Sequence, residues 1–525
     1  MNDKNREKDH SQVNQTEGQH ASFDRKCQDA TLINPAIYRL NTARKYMDGT
    51  NGKVRQWTYG KRDRDKQNKV VLMVGETGAG KTTMISTMIS YLLGVKFEEE
   101  LFYQITVEEE QHKDQSKSQT SEITVYEEFF EENPSSLTLI DIPGYGHTEG
   151  YKEDRETADY LSRLFSDKDG IHYIDAVCFV IKASQKRLSG KEFYIFHSVL
   201  SLFGRDIEDN MVFLLTHSDG RRPTDALNAI NTAEIPCRRD ERGRPVHFLF
   251  NNRQKEERDE EYKHLDGFAW EMGNKSMNEF FRLLEEKNRK SVQMTLDVLK
   301  ERRRLEACVP NLKERISEEE LKTKELTEIQ EALRQNREKI EKCENFKFTV
   351  NRHFKDKVLI KNVLVWDRNA TCCDVCQENC HEWFCWFVEN LSLCEVMRNN
   401  YCTMCPGKCH YSKHVKENKK YEIKTKTITM TFDELKQEYE CTGDQPVTSF
   451  NKTTYEQMKN EHERSMRESG NTTTIEEKLK DNLEQIKKEK SKMLHEAYMI
   501  ITGLSKIALK ADSAFTLQHL EFLIL

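Results

Sequence analysis

The sequence predicts an α/β domain with a mainly parallel sheet, followed by long α-helices and a small Cys/His module. Three observations carry this prediction. Short apolar runs of strand type alternate with helical patterns over residues 67–284. Segments rich in Glu, Lys, Arg and Leu with heptad spacing follow them. Nine of the 15 cysteines then lie between Cys372 and Cys409.

The composition excludes several classes of protein. The net charge of −7 gives no footprint for general nucleic-acid binding. The first 30 residues lack the apolar core of a secretory signal, and no apolar run approaches the ~20 residues that a membrane span needs. We therefore expect a cytoplasmic protein without a transmembrane segment or a nucleic-acid partner.

A glycine-rich loop lies between a buried strand and a helix. The strand candidate, residues 70–74, is apolar and mainly β-branched, and residues 82–93 carry apolar side chains at helical spacing. Glycines let successive N–H groups point at an anion, and the helix N-terminus adds partial positive charge. This order predicts a P-loop NTPase fold, the G-domain type of α/β domain. Its phosphate site comprises Gly75, Glu76, Thr77, Gly78, Ala79, Gly80, Lys81, Thr82 and Thr83.

Four residues are expected to hold a triphosphate with Mg²⁺. Lys81 supplies a cation for the β- and γ-phosphates, and the Thr82 hydroxyl is a Mg²⁺ ligand. Asp141 ends the strand candidate at residues 137–141, where an acidic residue can hold a Mg²⁺-bound water. Gly144, just after it, can present its N–H group to the γ-phosphate.

A third motif addresses the base. Thr216, His217 and Asp219 follow the apolar strand candidate at residues 211–216. A carboxylate there can accept two hydrogen bonds from guanine, whereas adenine lacks that donor pair. The alternative is that Asp219 is an ordinary residue of a Ser-Asp-Gly turn.

The composition shifts divide the chain into six segments. These are a disordered N-terminus (1–30), a lead-in segment (31–66), the P-loop G domain (67–284), a helical or coiled-coil arm (285–345), a Cys/His zinc-type module with flanking strands (346–435), and a C-terminal helical or coiled-coil region (436–525).

The motifs 75–82, 141–146, 216–219 and 250–252 together resemble the GTPases of the immunity-associated nucleotide-binding (GIMAP) and septin group. The resemblance covers about residues 67–285. It implies that Asn251 and Asn252 lie beside the base. It also implies that Thr120 belongs to the first switch segment and joins the Mg²⁺ shell when the γ-phosphate is present. His147 stands where this group usually has Asp, and no Gln occupies the place that orients water in Ras-like proteins. His147 is therefore the candidate for orienting water, and the alternative is an ordinary surface histidine.

The resemblance thus implies a switch or assembly protein that binds GTP or GDP with Mg²⁺ and hydrolyses GTP slowly, with Thr120, Gly144 and His147 as the catalytic candidates. Two other functions stay open. One is an ATPase of the same fold. The other is a scaffold in which the zinc module and coiled coils carry the function and the nucleotide site is vestigial.

The Cys/His cluster contains two knuckles of zinc type, each with two residues between its cysteines. Each knuckle is followed by a Cys-His pair and one further ligand type, and this repetition predicts two zinc sites of four ligands. The candidates are Cys373, Cys376, Cys380, His381, Cys385, Cys402, Cys405, Cys409 and His414. Their pairing stays open, and redox-active thiols or disulfides are the alternative.

Two helical segments carry heptad spacing. In the first segment, Leu326, Leu333 and Ile340 recur every seven residues. In the C-terminal segment, positions 483, 490, 497 and 504 have the same spacing, and Lys490 interrupts the apolar series of Leu483, Ala497 and Leu504. Either the helices form a coiled coil between chains, or each packs on its own chain. We expect a homo-oligomer, formed through the G domain or through coiled coils, and a protein partner that the sequence does not identify.

Overall fold

The computed structural model describes residues 30–34, 36–47, 53–63, 65–105, 122–130, 135–142, 151–256, 258–286, 288–342, 344–361, 369–382, 390–440 and 472–509. The chain divides into two compact units, Met1–Leu299 with Leu504–Leu525, and Lys300–Gly503. Among the described helices, none is long and apolar enough to span a membrane.

The first unit is an α/β structure. Its strands are β1 (Ala30–Asn34), β2 (Ile37–Leu40), β3 (Ala43–Tyr46), β4 (Val54–Gly60), β5 (Gln67–Val74), β6 (Phe102–Gln104), β7 (Ile123–Phe129), β8 (Ser135–Asp141), β9 (Tyr173–Ile174), β10 (Ala176–Lys182), β11 (Met211–Thr216), β12 (His247–Leu249) and β13 (Lys290–Ser291). Its helices are α1 (Lys81–Leu92), α2 (Tyr151–Ser166), α3 (Gly190–Leu200), α4 (Thr224–Thr232) and α5 (Lys263–Glu285).

Eight strands form the main sheet, in the order β12-β11-β10-β5-β8-β7-β4-β3. From β12 to β8 all neighbours are parallel, whereas β7 runs antiparallel to β8. The mainly parallel sheet predicted for a P-loop domain is therefore confirmed.

The lead-in segment extends this sheet, which the sequence did not predict. β4 pairs in parallel with β7 over seven residues, and β3 pairs with β4. The ring of Trp57 on β4 packs edge-on against Tyr126 on β7, with 5.6 Å between centroids. This cross-strand pair stabilises the pairing of β4 with β7. The sheet therefore begins before residue 67.

Both faces of the sheet are buried. Val70, Leu72 and Val74 of β5 point into one apolar cluster, and Val71 and Met73 point into the other. A strand covered on both faces has no polar side to alternate with, so its apolar residues run without interruption. A separate three-stranded sheet, β1-β2-β6, lies in the same unit.

The second unit contains a long hairpin, a small module and helices. Its elements are α6 (Gln293–Gln335, which starts in the first unit), α7 (Arg337–Glu341), β14 (Lys347–Leu359), β15 (Ala370–Cys373), β16 (Glu378–His381), β17 (Met397–Arg398), β18 (Tyr401–Cys402), β19 (His414–Glu417), β20 (Lys419–Thr431), α8 (Phe432–Glu440) and α9 (Thr472–Ile507). β14 and β20 pair antiparallel over 13 residues each, and the module sheet has the order β16-β15-β19.

The heptad positions of α6 are covered by their own chain. Leu326, Ile329 and Leu333 are buried in one cluster with Phe346 and Phe348, which lie at the start of β14. The same cluster takes residues of β20 and α8. For these described positions, the structure therefore favours a helix packed on its own chain over a seam between chains.

Candidate nucleotide-binding site and Cys/His cluster

The predicted nucleotide motifs meet at one edge of the main sheet. The glycine-rich loop follows β5, Asp141 ends β8, Thr216 ends β11 and Phe250 follows β12. These four strands are mutually parallel, and β5 faces β8 with Met73 opposite Asp141. The carboxyl ends of parallel strands converge there, which is where open α/β sheets bind ligands.

Two properties of glycine shape the loop. A Cβ atom on Gly75 would lie 2.5 Å from the carbonyl oxygen of Val180 on β10, so no side chain fits between the strands. Gly78 and Gly80 have φ of 81° and 96°, in the left-handed region that L-residues avoid. The loop therefore depends on glycine for close approach at its start and for backbone conformation further on.

Helix α1 opens directly from this loop. Gly80 is its N-cap residue and offers no side chain to the first-turn N–H groups. Such N–H groups, together with the helix dipole, favour an anion. Thr82 and Thr83 lie half-buried in the first turn. The loop and the helix start thus form a site for a phosphate group.

The Lys81 ammonium points back into the loop. Its Nζ donates to the carbonyl oxygens of Gly75 at 2.8 Å and Glu76 at 3.2 Å. Burial lowers the pKa of Lys81, while the nearby carboxylates of Asp141 and Glu76 raise it. A buried cation held beside the helix start is arranged to neutralise phosphate charge.

Asp141 is 1% exposed at the end of β8. Its electrostatic interaction with Lys81 places the carboxylate beside the phosphate loop. A buried carboxylate at this position fits the donor chemistry of Mg²⁺, which prefers oxygen ligands and retains waters. The other predicted catalytic residues, Thr120, Gly144 and His147, lie outside the described residues.

Thr216 holds two loops of the site together. Its Oγ1, which is buried, donates to the carbonyl oxygen of Ala79 in the phosphate loop at 2.8 Å. The sequence placed Thr216 and His217 directly on the nucleotide. In the structure the Thr216 hydroxyl donates a hydrogen bond to the Ala79 carbonyl oxygen and so positions the phosphate loop, and its contact with the nucleotide stays a prediction. His217 is exposed, with φ of 53°, and its Nδ1 lies 3.1 Å from Thr216 Oγ1.

Asp219 is exposed beyond this loop. One carboxylate oxygen, Oδ1, accepts a hydrogen bond from the Arg221 backbone N–H at 3.0 Å, as the turn interpretation expects. That bond uses one carboxylate oxygen, and the residue is exposed. The turn and the base-binding roles are therefore compatible.

The structure brings Asn251 and Asn252 to the same place. The Ser218 N–H donates to the carbonyl oxygen of Phe250 at 3.0 Å, which fastens the two loops to each other. Asn252 Nδ2 lies 3.8 Å from Met84 Sδ on α1. The Asp219 and Asn251–Asn252 segments thus flank one side of the helix start.

Sequence reasoning missed Phe268. A Cβ atom at Gly220, which has φ of 81°, would lie 2.6 Å from Cζ of the Phe268 ring on α5. Phe268 is nevertheless 54% exposed. No motif marks this residue, because it reaches the Asp219 loop from a helix that begins more than 40 positions later.

In the second unit, the knuckle cysteines converge on two groups of four. One group is Cys373, Cys376, Cys405 and Cys409, and the other is Cys380, Cys402, Cys405 and His414. In each group the ligand atoms lie within 4.8 Å of one another. The described cysteines form no disulfide.

Among the described residues, one predicted zinc ligand, His381, belongs to neither group. The structure places His381 outside both, because its Nδ1 faces the Cys394 sulfur at 3.4 Å. The role of His381 as a ligand stays a prediction. Cys394, which the ligand prediction omitted, is buried beside it. Cys385 lies outside the described residues.

Comparison with known proteins adds a family to this geometry. Residues 69–297 match the model of the AIG1 family. That match contains the phosphate loop, Asp141 and the Thr216–Asp219 and Phe250–Asn252 segments. No curated protein matches the chain.

Solved structures give only low similarity. Toc33 from Arabidopsis thaliana in complex with GDP and Mg²⁺ is 14% identical, covering 43% of this chain and 88% of Toc33, with a TM-score of 0.30. The elongation factor SelB from Methanococcus maripaludis, in complex with the GTP analogue GPPNHP, is 13% identical, covering 43% of this chain and 35% of SelB, with a TM-score of 0.23.

Proposed function

We propose that residues 69–297, which match the AIG1 family model, form a guanine-nucleotide-binding domain of the GIMAP type, and that the protein is a Mg²⁺-dependent GTP switch. The observation that carries the proposal is the phosphate loop. It combines a buried ammonium, a helix start without a side-chain cap and left-handed glycines, which together favour an anion.

The residues of the loop would divide the work by charge. Lys81 would neutralise the β- and γ-phosphates, because its Nζ already lies among the loop carbonyls. Thr82 and Asp141 would hold Mg²⁺, with Thr120 joining them in the triphosphate state. Mg²⁺ supplies neutralisation of the charge that develops on the phosphates. The chain supplies the orientation.

Base selection would rest with Asp219. Its carboxylate would accept hydrogen bonds from guanine, with Asn251 and Asn252 beside the base. Replacing guanine by adenine would leave an acceptor without its donor pair, which costs about 1–3 kcal/mol. Asp219→Asn should therefore weaken GDP binding about 5- to 150-fold. Unchanged GDP affinity would make Asp219 a turn residue only.

We propose slow hydrolysis to GDP, with His147 orienting water and the Gly144 N–H group facing the γ-phosphate. A neutral imidazole has one ring nitrogen that accepts a hydrogen bond from water and one N–H group that donates, so it can orient the water. Single-turnover GTP cleavage by His147→Ala should be slower than by the wild type. A rate equal to the wild-type rate would exclude His147.

The phosphate site itself is tested by Lys81→Ala. Losing a charge-assisted hydrogen bond of about 1.5–3 kcal/mol should weaken binding of fluorescent GDP by at least about tenfold. Lys96→Ala is the matched control, because Lys96 is exposed and close in sequence. Equal affinities of both variants would refute the site. Titration with ATP in the same experiment separates a GTP-binding site from the ATPase alternative.

We propose that zinc organises the Cys/His module as a structural metal. Thiolates and one imidazole are the donors zinc prefers, and a closed ligand set leaves no open position for catalysis. The module would then present a surface to a protein partner. Removing zinc with a chelator should lower the module's thermal stability, measured by scanning calorimetry, without changing GDP affinity.

We also propose a cytoplasmic location and a homo-oligomer formed through G domains. The nucleotide edge of the sheet lies on the surface, with Asp219 exposed, so a second copy could approach it. Sedimentation with GDP and with a non-hydrolysable GTP analogue tests this. A monomer in both states would exclude nucleotide-dependent assembly.

A further inference from the structure

The two groups of metal-ligand type in the second unit share one side chain. Cys405 belongs both to the group with Cys373, Cys376 and Cys409 and to the group with Cys380, Cys402 and His414. Seven side chains therefore fill eight ligand positions.

Resting on the structural zinc proposed above, we infer that the module binds two zinc ions as one cluster, bridged by the Cys405 thiolate. The sequence predicts two zinc sites of four ligands and leaves their pairing open. The sharing of Cys405 specifies the pairing and joins the sites. A thiolate sulfur has enough lone pairs to bond two ions at once, which imidazole nitrogen does not.

The distances fit tetrahedral zinc. A Zn–S bond of about 2.3 Å places two thiolates of one tetrahedron about 3.8 Å apart. Cys376 and Cys409 sulfurs are 3.6 Å apart in the first group. Cys405 Sγ and His414 Nε2 are 3.9 Å apart in the second. The Cys376–Cys409 separation is far from the ~2.05 Å of a disulfide bond.

The backbone around the sulfurs fits thiolates better than thiols. The Cys376 N–H donates to Cys373 Sγ at 3.4 Å, and the Cys405 N–H donates to Cys402 Sγ at 3.4 Å. The Cys409 N–H donates to the shared Cys405 sulfur at 3.3 Å. Six thiolates exceed the charge of two Zn²⁺ ions by about two, and N–H groups aimed at sulfur offset that excess.

Glycine makes room for the first ion. A Cβ atom at Gly407 would lie 3.1 Å from both the Cys376 and the Cys409 sulfurs. The next residue, Lys408, has φ of 44°, which turns the chain so that Cys409 returns to the group. The segment from Cys405 to Cys409 is thus folded around an ion-sized position.

The cluster would join elements that share little apolar core. His414 opens β19, Cys373 ends β15, Cys380 lies in β16 and Cys402 ends the β17–β18 hairpin. The apolar cluster described for this module contains only Ala370, Cys372 and Tyr421, with Ile360 packed against it. Small modules with so little core depend on metal ions for stability.

The full chain loaded with ¹¹³Cd²⁺ and observed by ¹¹³Cd NMR tests the bridge. We expect two resonances per chain, each split by scalar coupling to the other, because coupling passes between ions only through a shared bonded atom. Two uncoupled resonances, or one, would overturn the bridge while leaving structural metal in place. A chain that binds no cadmium or zinc would instead refute the structural zinc itself.

Zinc content of variants gives a second readout. Cys409→Ser should reduce zinc from two ions per chain to one, since Cys409 serves one group. Cys405→Ser should reduce it to below one, since both groups lose a ligand. Cys372→Ser is the control, because the Cys372 thiol donates a hydrogen bond to Asn379 Oδ1 and belongs to neither group. Cys405→Ser retaining one full ion would contradict the shared thiolate.

Discussion

Glu128 is a buried carboxyl group within the main sheet. It lies on β7 opposite Leu137 of β8 and Tyr59 of β4, and it is 0% exposed. Among the residues that the structure describes, neither carboxyl oxygen has a hydrogen-bond partner. Burial raises the pKa of Glu128 well above its ordinary value. The folded state therefore favours the protonated carboxyl group.

Two substitutions separate polarity from ionisation. Glu128→Leu removes both the polar group and the ionisable group. A buried polar group without a partner costs about 1–3 kcal/mol of stability. We therefore expect Glu128→Leu to raise the free energy of unfolding at pH 7.5 by about that amount. In a domain of this size class, each kcal/mol corresponds to about 2–4 °C in Tm. Glu128→Gln remains polar and should gain less.

The pH dependence has a definite sign. Because the folded-state pKa is raised, the stability is fully present below the unfolded-state pKa and is lost as the pH rises through the folded-state pKa. The wild type should therefore lose stability relative to both variants between pH 5 and pH 7.5. Scanning calorimetry of the full chain at these two pH values measures the difference.

Glu127→Gln is the matched control. Glu127 directly precedes Glu128 on β7 and is half-buried. Its carboxylate accepts a hydrogen bond from Thr58 Oγ1 at 2.9 Å. It should leave the pH dependence of Tm unchanged. If Glu128→Leu lowered Tm at pH 7.5, or if Glu128→Gln kept the wild-type pH dependence, Glu128 would be an ionised, partnered residue and the reasoning would be refuted.

Three further predictions follow from particular contacts. Gly75→Ala would place a Cβ atom 2.5 Å from the Val180 carbonyl oxygen. It should therefore lower the free energy of unfolding by about 1–3 kcal/mol and weaken GDP binding. Unchanged Tm and GDP affinity would contradict this. Burial, and after it the nearby Glu378 carboxylate, raises the pKa of Glu314 to about 7. The free energy of unfolding of the second unit should therefore fall by up to about 3 kcal/mol between pH 4.5 and pH 7.5 in the wild type, and by less in Glu314→Gln. An equal fall in both proteins, measured by urea denaturation, would contradict this. Ile329→Ala should cost about 2–5 kcal/mol in unfolding experiments without changing the sedimentation coefficient of the folded chain; a shift to a smaller oligomer would restore the coiled-coil interpretation.

Much of the nucleotide site could be predicted because its determinants are local. The residues at 75–82 specify a loop whose glycines and helix start lie within one short segment, and the end of each apolar strand marks where Asp141 and Asp219 emerge. Parallel pairing then brings these ends together without further information.

The remainder depends on contacts between distant segments. Nothing local in 54–60 shows that β4 joins the edge of β7, since the pairing partner lies about 70 residues away. Heptad spacing in α6 is the same whether the apolar face meets a second chain or the β14–β20 hairpin. Likewise, the order of cysteines cannot show that Cys405 serves two groups, because ligand pairing is a property of the folded module.

Calorimetric titration of the full chain with GDP and with ADP, each with Mg²⁺, tests the central claim most directly. The account predicts saturable binding of GDP, lost in Lys81→Ala, and binding of ADP weaker by at least about tenfold, equivalent to 1.4 kcal/mol. Equal affinities for the two nucleotides would contradict guanine recognition by Asp219. Absence of binding by either would contradict the phosphate site itself.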